Sequence, residues 1–367
     1  MSSTDTAPQD VSRQRPAGMR RFIIIFLAAH LPLFIYPVFR LCAWLELSLL
    51  VTLVIVIPIA SSQVISRWLL RDAKHPSVRM LRHIADFILG MSPILLMLLI
   101  ANEFLIAFDV IAPKTAALCV LGTAGAISFA GLLVAVTPVV KKISFSSASL
   151  KQPLRFVQIT DVHIGSRSSG FLRKVIDKVL ALQPEFLCIT GDFVDASGIT
   201  EEDLVSLRDL ECPIYFTIGN HERYEDLDDI LNRLVGLGVQ VLRSESIHHR
   251  EDVQILGIDD RDDALQVERE LDKMTVDETA FGILMYHRPR GLEAAARAGI
   301  DLMISGHTHN GQIFPFNLVV NRVFDQVVGM YHSGKSRLYV SQGTGTWGPV
   351  MRVGTRSEIT LFEIGTT

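Results

Sequence analysis

Ser305-Gly306-His307-Thr308-His309 places two histidines two residues apart, directly after the apolar run 302–304. Such a run is typical of a buried strand, so the histidines are expected in the loop at its carboxyl end. Both imidazoles could then face one cleft. An isolated His-x-His pair is nevertheless more often two ordinary polar loop residues, so its meaning depends on the rest of the chain.

Four more polar groups stand at equivalent positions upstream. Each directly follows an apolar, strand-like run: Asp161-Val162-His163, Gly191-Asp192, Gly219-Asn220-His221 and Tyr286-His287. In open α/β sheets, ligands gather at the carboxyl ends of the strands. Five strand ends that deliver carboxylate, amide and imidazole groups therefore predict one dinuclear metal centre, and five coincidences are a much weaker interpretation.

The donor types narrow the chemistry of this centre. Aspartate, asparagine and histidine form a mixed nitrogen and oxygen set without thiolate, which suits Mn²⁺ first, with Fe or Zn²⁺ as alternatives, better than Mg²⁺ or Ca²⁺. Asp192 follows Gly191, where the backbone can approach closely, and its carboxylate can bridge two cations. Two cations about 3.5–4 Å apart suit displacement at phosphorus. His221 is not needed as a ligand and could protonate the leaving oxygen or stabilise the transition state.

The composition predicts that part of the chain is embedded in a membrane. The chain has 367 residues, of which 49% are hydrophobic, and its mean hydropathy of +0.33 is too high for a purely soluble enzyme. The net charge of −4 gives no case for a nucleic-acid partner. The four cysteines lack paired spacing, so we expect free thiols and no disulfide framework. No composition signal indicates an oligomeric state.

The sequence of residues 21–142 predicts a transmembrane region of about four helices. Residues 1–20 are polar and are expected to form a disordered cytoplasmic tail. Four apolar spans follow at about 22–39, 43–65, 87–108 and 115–140, each near or above the roughly 20 residues that cross a bilayer. A cleaved signal peptide is rejected, because no small-x-small site follows the first span and three more spans come after it.

The basic residues set the expected orientation. Arginine and lysine crowd the tail, the connection after the second span and the segment after the fourth span, whereas the opposite side holds only Arg40 and Lys114. This asymmetry predicts a multi-pass protein of the bacterial inner membrane, with both termini and the catalytic domain in the cytoplasm.

Polar features inside the spans are few. A short turn is expected at Arg40-Leu41-Cys42, between the first two spans. Glu103, near the end of the third span, could mark a function, but snorkelling or pairing at the membrane interface is the simpler interpretation. The spans show no paired charges by sequence, which argues against a transport path.

The remaining chain alternates strand and helix patterns. A linker is expected at 143–152 and an α/β domain at 153–367. Predicted strands are 154–160, 186–190, 213–218, 239–242, 253–258, 281–286 and 302–305. Predicted helices are 170–182, 201–210, 226–237 and 292–298, and 337–341 with 358–364 are expected to close the domain as a hairpin-like pair. This alternation predicts a largely parallel sheet covered by helices, with a second sheet from the later half.

The motifs together resemble the calcineurin-like metallophosphoesterases, over about 154–364. The sequences of 306–316 and 339–349 resemble those of the bacterial membrane-associated branch with N-terminal transmembrane helices. Two residues differ from that branch: Asn310 and Gln342 stand where Gly and Arg are expected. The resemblance implies two facing mixed sheets flanked by helices. It also implies a residue-by-residue assignment: one metal held by Asp161, His163, Asp192 and His309, the other by Asp192, Asn220, His287 and His307, with His221 as the acid.

Other polar residues have two interpretations each. Asp195 could support a metal ligand, but a surface loop carboxylate is favoured. His248, His249 and His332 are expected at the surface. Arg288 and Arg352 could neutralise phosphate or form ordinary ion pairs, and Trp347 could stack on substrate or pack within its loop: these alternatives stay open.

The function that follows is a membrane-anchored phosphohydrolase of a phosphodiester or pyrophosphate bond. A lipid-linked or sugar-nucleotide-lipid substrate is favoured, such as a UDP-diacylglucosamine, which the resemblance implies because branches of that superfamily hydrolyse it. The alternatives are an anchored phosphodiesterase of soluble nucleotides, or a membrane transport or scaffold protein with a regulatory phosphoesterase domain. Intact ligands and the presence of His221 argue against a merely regulatory domain.

Overall fold

The N-terminal part of the protein is helical. The computed structural model describes residues 28–66, 76–196 and 198–367; the predicted tail at 1–20, the start of the first span and the basic residues Arg67, Arg71 and Lys74 lie outside these residues. Helix α1 (Ala28–Trp44) contains a π-helical turn at Leu31–Ile35. It is followed by α2 (Leu49–Val64), α3 (Pro76–Ala107) and α4 (Pro113–Val136).

Two of these helices are long and apolar enough to cross a membrane. In the described part of the chain they are Ser77–Ala107 within α3 and Pro113–Val136, which is α4, whereas α1 and α2 are shorter apolar helices. The four-helix transmembrane region predicted from sequence is therefore supported for two helices only.

A charged cluster joins α1 to α3. Arg40 donates from Nε and Nη2 to the carboxylate of Glu103, the second bond being 2.8 Å, and the Tyr36 hydroxyl donates to Glu103 at 3.2 Å. The expectation that Glu103 pairs is confirmed, and the expectation that the spans hold no paired charges is wrong. The turn predicted at Arg40-Leu41-Cys42 is also wrong, because α1 continues to Trp44 and the chain turns before α2 begins at Leu49.

The segment predicted to be a linker begins inside a strand. Strand β1 (Val139–Ser147) pairs in parallel with β12 (Glu358–Thr366) along its whole length. Ile143 and Phe145 pack on the core between the sheets while the lysines beside them face outward. Ser144 and Ser146, two of the serines that indicated a linker, are exposed positions of this strand, so α4 continues almost directly into the sheet.

The α/β domain contains two mixed sheets of six strands. The first has the order β1, β12, β2, β3, β4, β5 and the second has the order β10, β11, β9, β8, β7, β6. The strands between β1 and β12 are β2 (Leu154–Ile159), β3 (Leu187–Thr190), β4 (Ile214–Thr217), β5 (Val239–Val241), β6 (Glu245–Arg250), β7 (Val253–Ile258), β8 (Phe281–Tyr286), β9 (Leu302–Ser305), β10 (Gly329–Ser333) and β11 (Ser336–Val340).

The helices of this domain are α5 (Ser169–Leu182), α6 (Glu201–Leu204), α7 (Leu227–Gly236), α8 (Gln266–Leu271), α9 (Leu292–Arg297) and α10 (Phe316–Val323). The predicted helix 201–210 is split, since α6 passes into a 3₁₀ turn at Val205–Asp209. The two mixed sheets that the resemblance implied are present.

Aromatic side chains fill the space between the sheets. Phe156 stacks on Phe186 and Phe362, with ring centroids 4.9 and 4.6 Å apart, and Phe281 of the second sheet belongs to the same buried cluster. The predicted hairpin-like closing pair is wrong, because β11 pairs with β9 and β10 in one sheet while β12 lies between β1 and β2 in the other. β11 pairs with its neighbour β10 and with β9, and both partners of β12 are distant from it in sequence.

The α/β domain packs directly on the N-terminal helices. Met351 and Ile313 lie in one buried cluster with residues of α1, α3 and α4, and the amide of Arg352 donates to the carbonyl of Gly131 in α4 at 3.0 Å. A Cβ at Gly131 would lie 2.8 Å from Cγ of Met351, so the absence of a side chain lets the loop approach the helix. The two parts are thus joined by packing as well as by the chain.

Candidate metal centre

All five predicted ligand loops meet at the carboxyl ends of their strands. They follow β2, β3, β4, β8 and β9, and both sheets contribute. The loops have an unusual backbone: positive φ is found at Asp161, His163, Asp192, His307 and His309. Non-glycine residues rarely adopt this conformation, and it concentrates at functional sites. The left-handed turns aim consecutive polar side chains into one space instead of letting them alternate as in a strand.

The first group of donors contains Asp161, His163 and His309, all buried. Nε2 of His163 lies 3.1 Å from Nε2 of His309, which itself lies 3.3 Å from Oδ1 of Asp161. Asp161 is held in place by the amide of His307, which donates to its oxygens at 3.1 and 3.0 Å. Three donor atoms therefore converge from β2 and β9.

The second group contains Asp192, His287 and His307. Nε2 of His287 lies 3.1 Å from Oδ2 of Asp192 and 3.1 Å from Nδ1 of His307. Nδ1 of His287 lies 2.9 Å from the carbonyl of Thr190, so that nitrogen carries the proton and donates it, and Nε2 is directed into the site. Carbonyl contacts of this kind commonly orient a histidine that binds a metal.

Asn220 enters the same space. Its Oδ1 is buried and has no hydrogen-bond partner, which is costly for a polar atom unless a ligand satisfies it. The backbone before it passes close to the second group, because a Cβ at Gly219 would overlap the carboxylate of Asp192. Asn220 thus offers a free oxygen beside Asp192.

The buried side chains of the second group shift one another's pKa values. Burial raises the pKa of Asp192, but the imidazoles of His287 and His163 outweigh it and hold the pKa well below its usual value. Burial lowers the pKa of His287, but Asp192 outweighs it and raises the pKa to about 10. The pKa of His307 is held well below its usual value by burial and by His287. One imidazole of this close pair therefore carries a proton that a cation would replace.

The residues present fit two cations. Two pairs of imidazole nitrogens face each other at 3.1 Å, a distance at which two lone pairs need a proton or a cation between them. Each group brings carboxylate oxygen and imidazole nitrogen within 4.8 Å. The unpartnered Oδ1 of Asn220 adds a neutral oxygen donor.

His221 lies at the rim of the site. Its Nε2 is 3.9 Å from Oδ2 of Asp192 and its side chain is 18% exposed, so it can reach a bound molecule. Trp347 contacts its ring edge-on, with centroids 5.9 Å apart. Burial lowers the pKa of His221 to about 4. The imidazole is thus neutral at pH 7 in the metal-free chain, and an anionic group beside it would favour protonation.

Asp195 is not a surface carboxylate, so that preferred interpretation is wrong. Its side chain is 3% exposed and its Oδ2 lies 3.2 Å from Nδ1 of His163. Ser166 donates to the same carboxylate from its amide at 2.9 Å and from its hydroxyl at 2.6 Å. Burial lowers the pKa of His163, but Asp195 outweighs it and raises the pKa above its usual value. Asp195 orients His163 from behind.

Glu222 ties two loops together, a role that the sequence reasoning missed. Its carboxylate accepts hydrogen bonds from the amides of Asp192, Phe193, Val194 and Gly219, at 2.6–3.1 Å. These bonds hold the loop after β3 against the loop after β4. The available signal was a carboxylate two residues after Asn220, directly after the motif Gly219-Asn220-His221.

The two residues that differ from the family sequence, Asn310 and Gln342, contact each other. Nδ2 of Asn310 donates to Oε1 of Gln342 at 3.2 Å. Asn310 has φ +50, a left-handed conformation that asparagine tolerates better than most residues, which explains how it replaces the expected glycine.

Arg288, Arg352 and Trp347 have the following contacts in the structure. Arg288 pairs with Asp260 at 2.8 Å. Arg352 is buried and donates to backbone carbonyls, including that of Gln342 at 2.7 Å, so it supports the loops instead of forming an ion pair. Trp347 is half-exposed beside His221.

The surface histidines are confirmed in two cases out of three. His332 is exposed, and His248 is exposed and lies 3.2 Å from Asp277. The expectation for His249 is wrong: it lies in β6 with its ring against Phe186, at a centroid distance of 4.6 Å.

Comparison with known proteins agrees with this geometry. Residues 154–311 match the family model described as calcineurin-like phosphoesterase. An uncharacterized metallophosphoesterase of Aquifex aeolicus is 30% identical over 227 residues, which cover 58% of this chain and 85% of that protein. An uncharacterized metallophosphoesterase of Campylobacter jejuni is 32% identical over 241 residues, covering 62% of this chain and 63% of that protein.

A relative from Bos taurus is described as a transmembrane protein with metallophosphoesterase domain. It is 32% identical over 236 residues, covering 56% of this chain and 52% of that protein. The match therefore spans less than two thirds of the Campylobacter and Bos taurus relatives. The two donor groups and these matches together indicate a dinuclear site for divalent cations, and the chain belongs to the calcineurin-like phosphoesterase family of metallophosphoesterases.

Proposed function

We propose that this chain is a membrane-anchored phosphohydrolase that cleaves a phosphodiester or pyrophosphate bond at a dinuclear metal centre. The observation that carries the proposal is the pair of converging donor groups, each with three ligand atoms within 4.8 Å. The reaction class is supported by the names of the relatives, and the membrane anchor by α3 and α4 and by the transmembrane description of the Bos taurus relative.

The ligand roles follow the two groups. One cation would be held by Asp161, His163, Asp192 and His309, and the other by Asp192, Asn220, His287 and His307. Bound divalent cations would supply Lewis-acid activation of water and would neutralise charge on the phosphoryl oxygens. Manganese is proposed as the resident metal because the donors mix nitrogen with oxygen, and iron and zinc fit the same donors.

His221 is proposed to act on the leaving group. It is the partly exposed imidazole at the rim, whereas His163 and His287 are fully buried. An anionic phosphoryl group beside it would favour its protonated form, from which it can donate a proton to the departing oxygen. Trp347 lies against His221 and is proposed to form the adjacent wall of the substrate site.

The proposed substrate is lipid-linked, and the proposed location is the cytoplasmic face of a bacterial inner membrane. The loop that contains Met351 and Arg352 joins the centre to the membrane helices, since Arg352 donates both to the carbonyl of Gln342 and to that of Gly131. A centre tethered this closely to the bilayer suits a substrate that resides there.

Product analysis tests this assignment. The purified full-length protein would be incubated with Mn²⁺ and either a bacterial lipid extract or a panel of soluble nucleotides, with Asp192→Ala as the inactive control. We expect a phosphorus-containing product from the lipid extract that the control does not form. Turnover confined to soluble nucleotides would overturn the lipid assignment, and absence of Asp192-dependent turnover on both would support the transport or scaffold alternative.

A further inference from the structure

Helix α10 presents an exposed apolar face for which the α/β domain provides no cover. Phe316, Val319 and Val323 are 57%, 51% and 66% exposed, as is Leu318 at 54%, while Val320 is buried. Phe316, Val319 and Val323 are spaced as neighbours on one helix face. An apolar face of this kind, beside a functional site, normally meets a partner.

The helix begins where the domain meets the membrane helices. Ile313, three residues before α10, belongs to the buried cluster formed with α1, α3 and α4, and a Cβ at Gly90 of α3 would lie 3.3 Å from its Cδ1. The amide of Phe314 donates to the carbonyl of Val353 at 2.9 Å. Val353 in turn packs beside Gly131 of α4. The start of α10 is therefore attached to both helices.

The contact lies close to one end of the apolar part of each helix. Gly90 and Gly131 lie at the domain side of the apolar parts of α3 and α4, and each is about 25 Å from the far end of its helix at a rise of 1.5 Å per residue. The hydrocarbon core of a bilayer is about 30 Å thick. The contact thus falls near one surface of the membrane.

Apolar side chains around the contact are exposed. Phe129 and Leu133, on either side of Gly131, are 62% and 49% exposed. The start of α10 therefore lies at a level where the apolar surface of α4 is exposed. Arg322 stands exposed among the apolar residues of α10, as suits anionic headgroups.

The far end of α10 leads to the metal centre. Phe324 follows Val323 and packs edge-on against His307, with ring centroids 5.4 Å apart. On the other side of the centre, Trp347 is half-exposed against His221. The centre is thus flanked by apolar side chains on two sides.

We propose that the apolar face of α10 lies in the headgroup region of the bilayer that α3 and α4 cross, so that the metal centre opens at the lipid surface. This proposal rests on the proposed membrane insertion of α3 and α4. Its occupant is the lipid surface, because the face continues the lipid-facing surface of these helices and contains a basic residue among its apolar ones.

The test places spin labels on the full-length protein in lipid nanodiscs. Cys119 and Cys212, the partly or fully exposed cysteines of the described residues, are replaced by alanine, and single cysteines are introduced by Val319→Cys and Phe316→Cys. Leu118→Cys on α4 is the membrane control and Val235→Cys on α7 is the water control; both sites are exposed. Oxygen concentrates in lipid and a nickel chelate in water, so their relative relaxation effects report the surroundings.

We expect the labels at 319 and 316 to respond to oxygen more than to the nickel chelate, as at 118, and the label at 235 to show the reverse. A water-like response at 319 and 316 with a lipid-like response at 118 would overturn this proposal alone. Dipolar broadening with low access to both reagents would also overturn it, in favour of a second copy of the chain. A water-like response at 118 would overturn the membrane insertion as well.

Discussion

The centre depends on residues that are not themselves proposed ligands. Asp195 holds His163, and Glu222 holds the loops that carry Asp192 and Asn220. The proposed ligands were predicted from sequence because each follows an apolar run directly. Asp195 and Glu222 were not, because their roles arise from contacts between different loops: Asp195 meets His163 only after β2 and β3 pair.

Removing the carboxylate of Asp195 should weaken metal binding. Asp195→Ala removes the carboxylate that lies 3.2 Å from Nδ1 of His163, so the ring can rotate away from the site. We expect metal affinity to fall about 10–100-fold, the usual effect of losing such a support. Competition with a fluorescent chelator measures it. Asp272→Ala, at an exposed carboxylate, is the matched control and should bind metal normally; an unchanged affinity in Asp195→Ala would show that His163 needs no support.

The roles of Asp192 and His221 should separate. Asp192→Ala is expected to lose metal and activity together, because its carboxylate is proposed to contact both cations. His221→Ala should keep the metals and lose about 10²–10⁴-fold in rate, the usual contribution of a positioned acid. The loss should be small for a nitrophenolate leaving group, which departs readily as an anion, and large for an alkoxide.

Metal content and turnover of both substrate types, measured for both variants, distinguish the roles. Loss of a metal in His221→Ala would make His221 a ligand. Equal slowing of both substrates would make it a general stabiliser of charge in the transition state. Either result would contradict the acid role.

At the scale of secondary-structure elements, local sequence patterns predicted the strands whose ends carry the proposed metal ligands. Other features of the two sheets depend on pairing between segments that are distant in sequence. Strands β2, β3, β4, β7, β8 and β9 were recognised because each is a largely apolar run. Strand β1 was missed because half of its residues are serine or lysine facing outward, and its pairing with β12 joins segments more than 200 residues apart. The partners of β11 and β12 likewise depend on the assembled sheets.

The contact between α4 and the loop 351–353 should be sensitive to side-chain size. Gly131→Leu would force Met351 and Val353 away and disturb the hydrogen bond from Arg352 to the Gly131 carbonyl. Overpacking of this kind costs about 1–3 kcal/mol. We expect a lower thermal midpoint in detergent and reduced turnover, because Arg352 also supports the loop of Gln342.

Gly125→Leu is the matched control for this prediction, since it lies on the same helix with open space around it. It should retain the thermal midpoint and the turnover of the unsubstituted protein. Equal behaviour of the two variants would contradict a packed contact between α4 and the domain.

For the whole molecule, the orientation in the membrane follows from the distribution of lysine and arginine. Basic residues occupy the tail, the connection between the second and third predicted spans and the segment after α4, which predicts that all three are cytoplasmic. A reporter active only in the periplasm should therefore stay silent when fused after Thr367, and a cytoplasmic reporter should work. The reverse result would remove both the orientation and the cytoplasmic location.

The dinuclear centre is tested most directly by metal content measured together with activity. The full-length protein, purified in detergent, is loaded with Mn²⁺, freed of excess metal and assayed on bis(4-nitrophenyl) phosphate before and after chelation, while elemental analysis counts bound ions. We predict about two divalent ions per chain, loss of hydrolysis on chelation and recovery with Mn²⁺. Full activity in excess chelator, with no tightly held metal, would contradict the account.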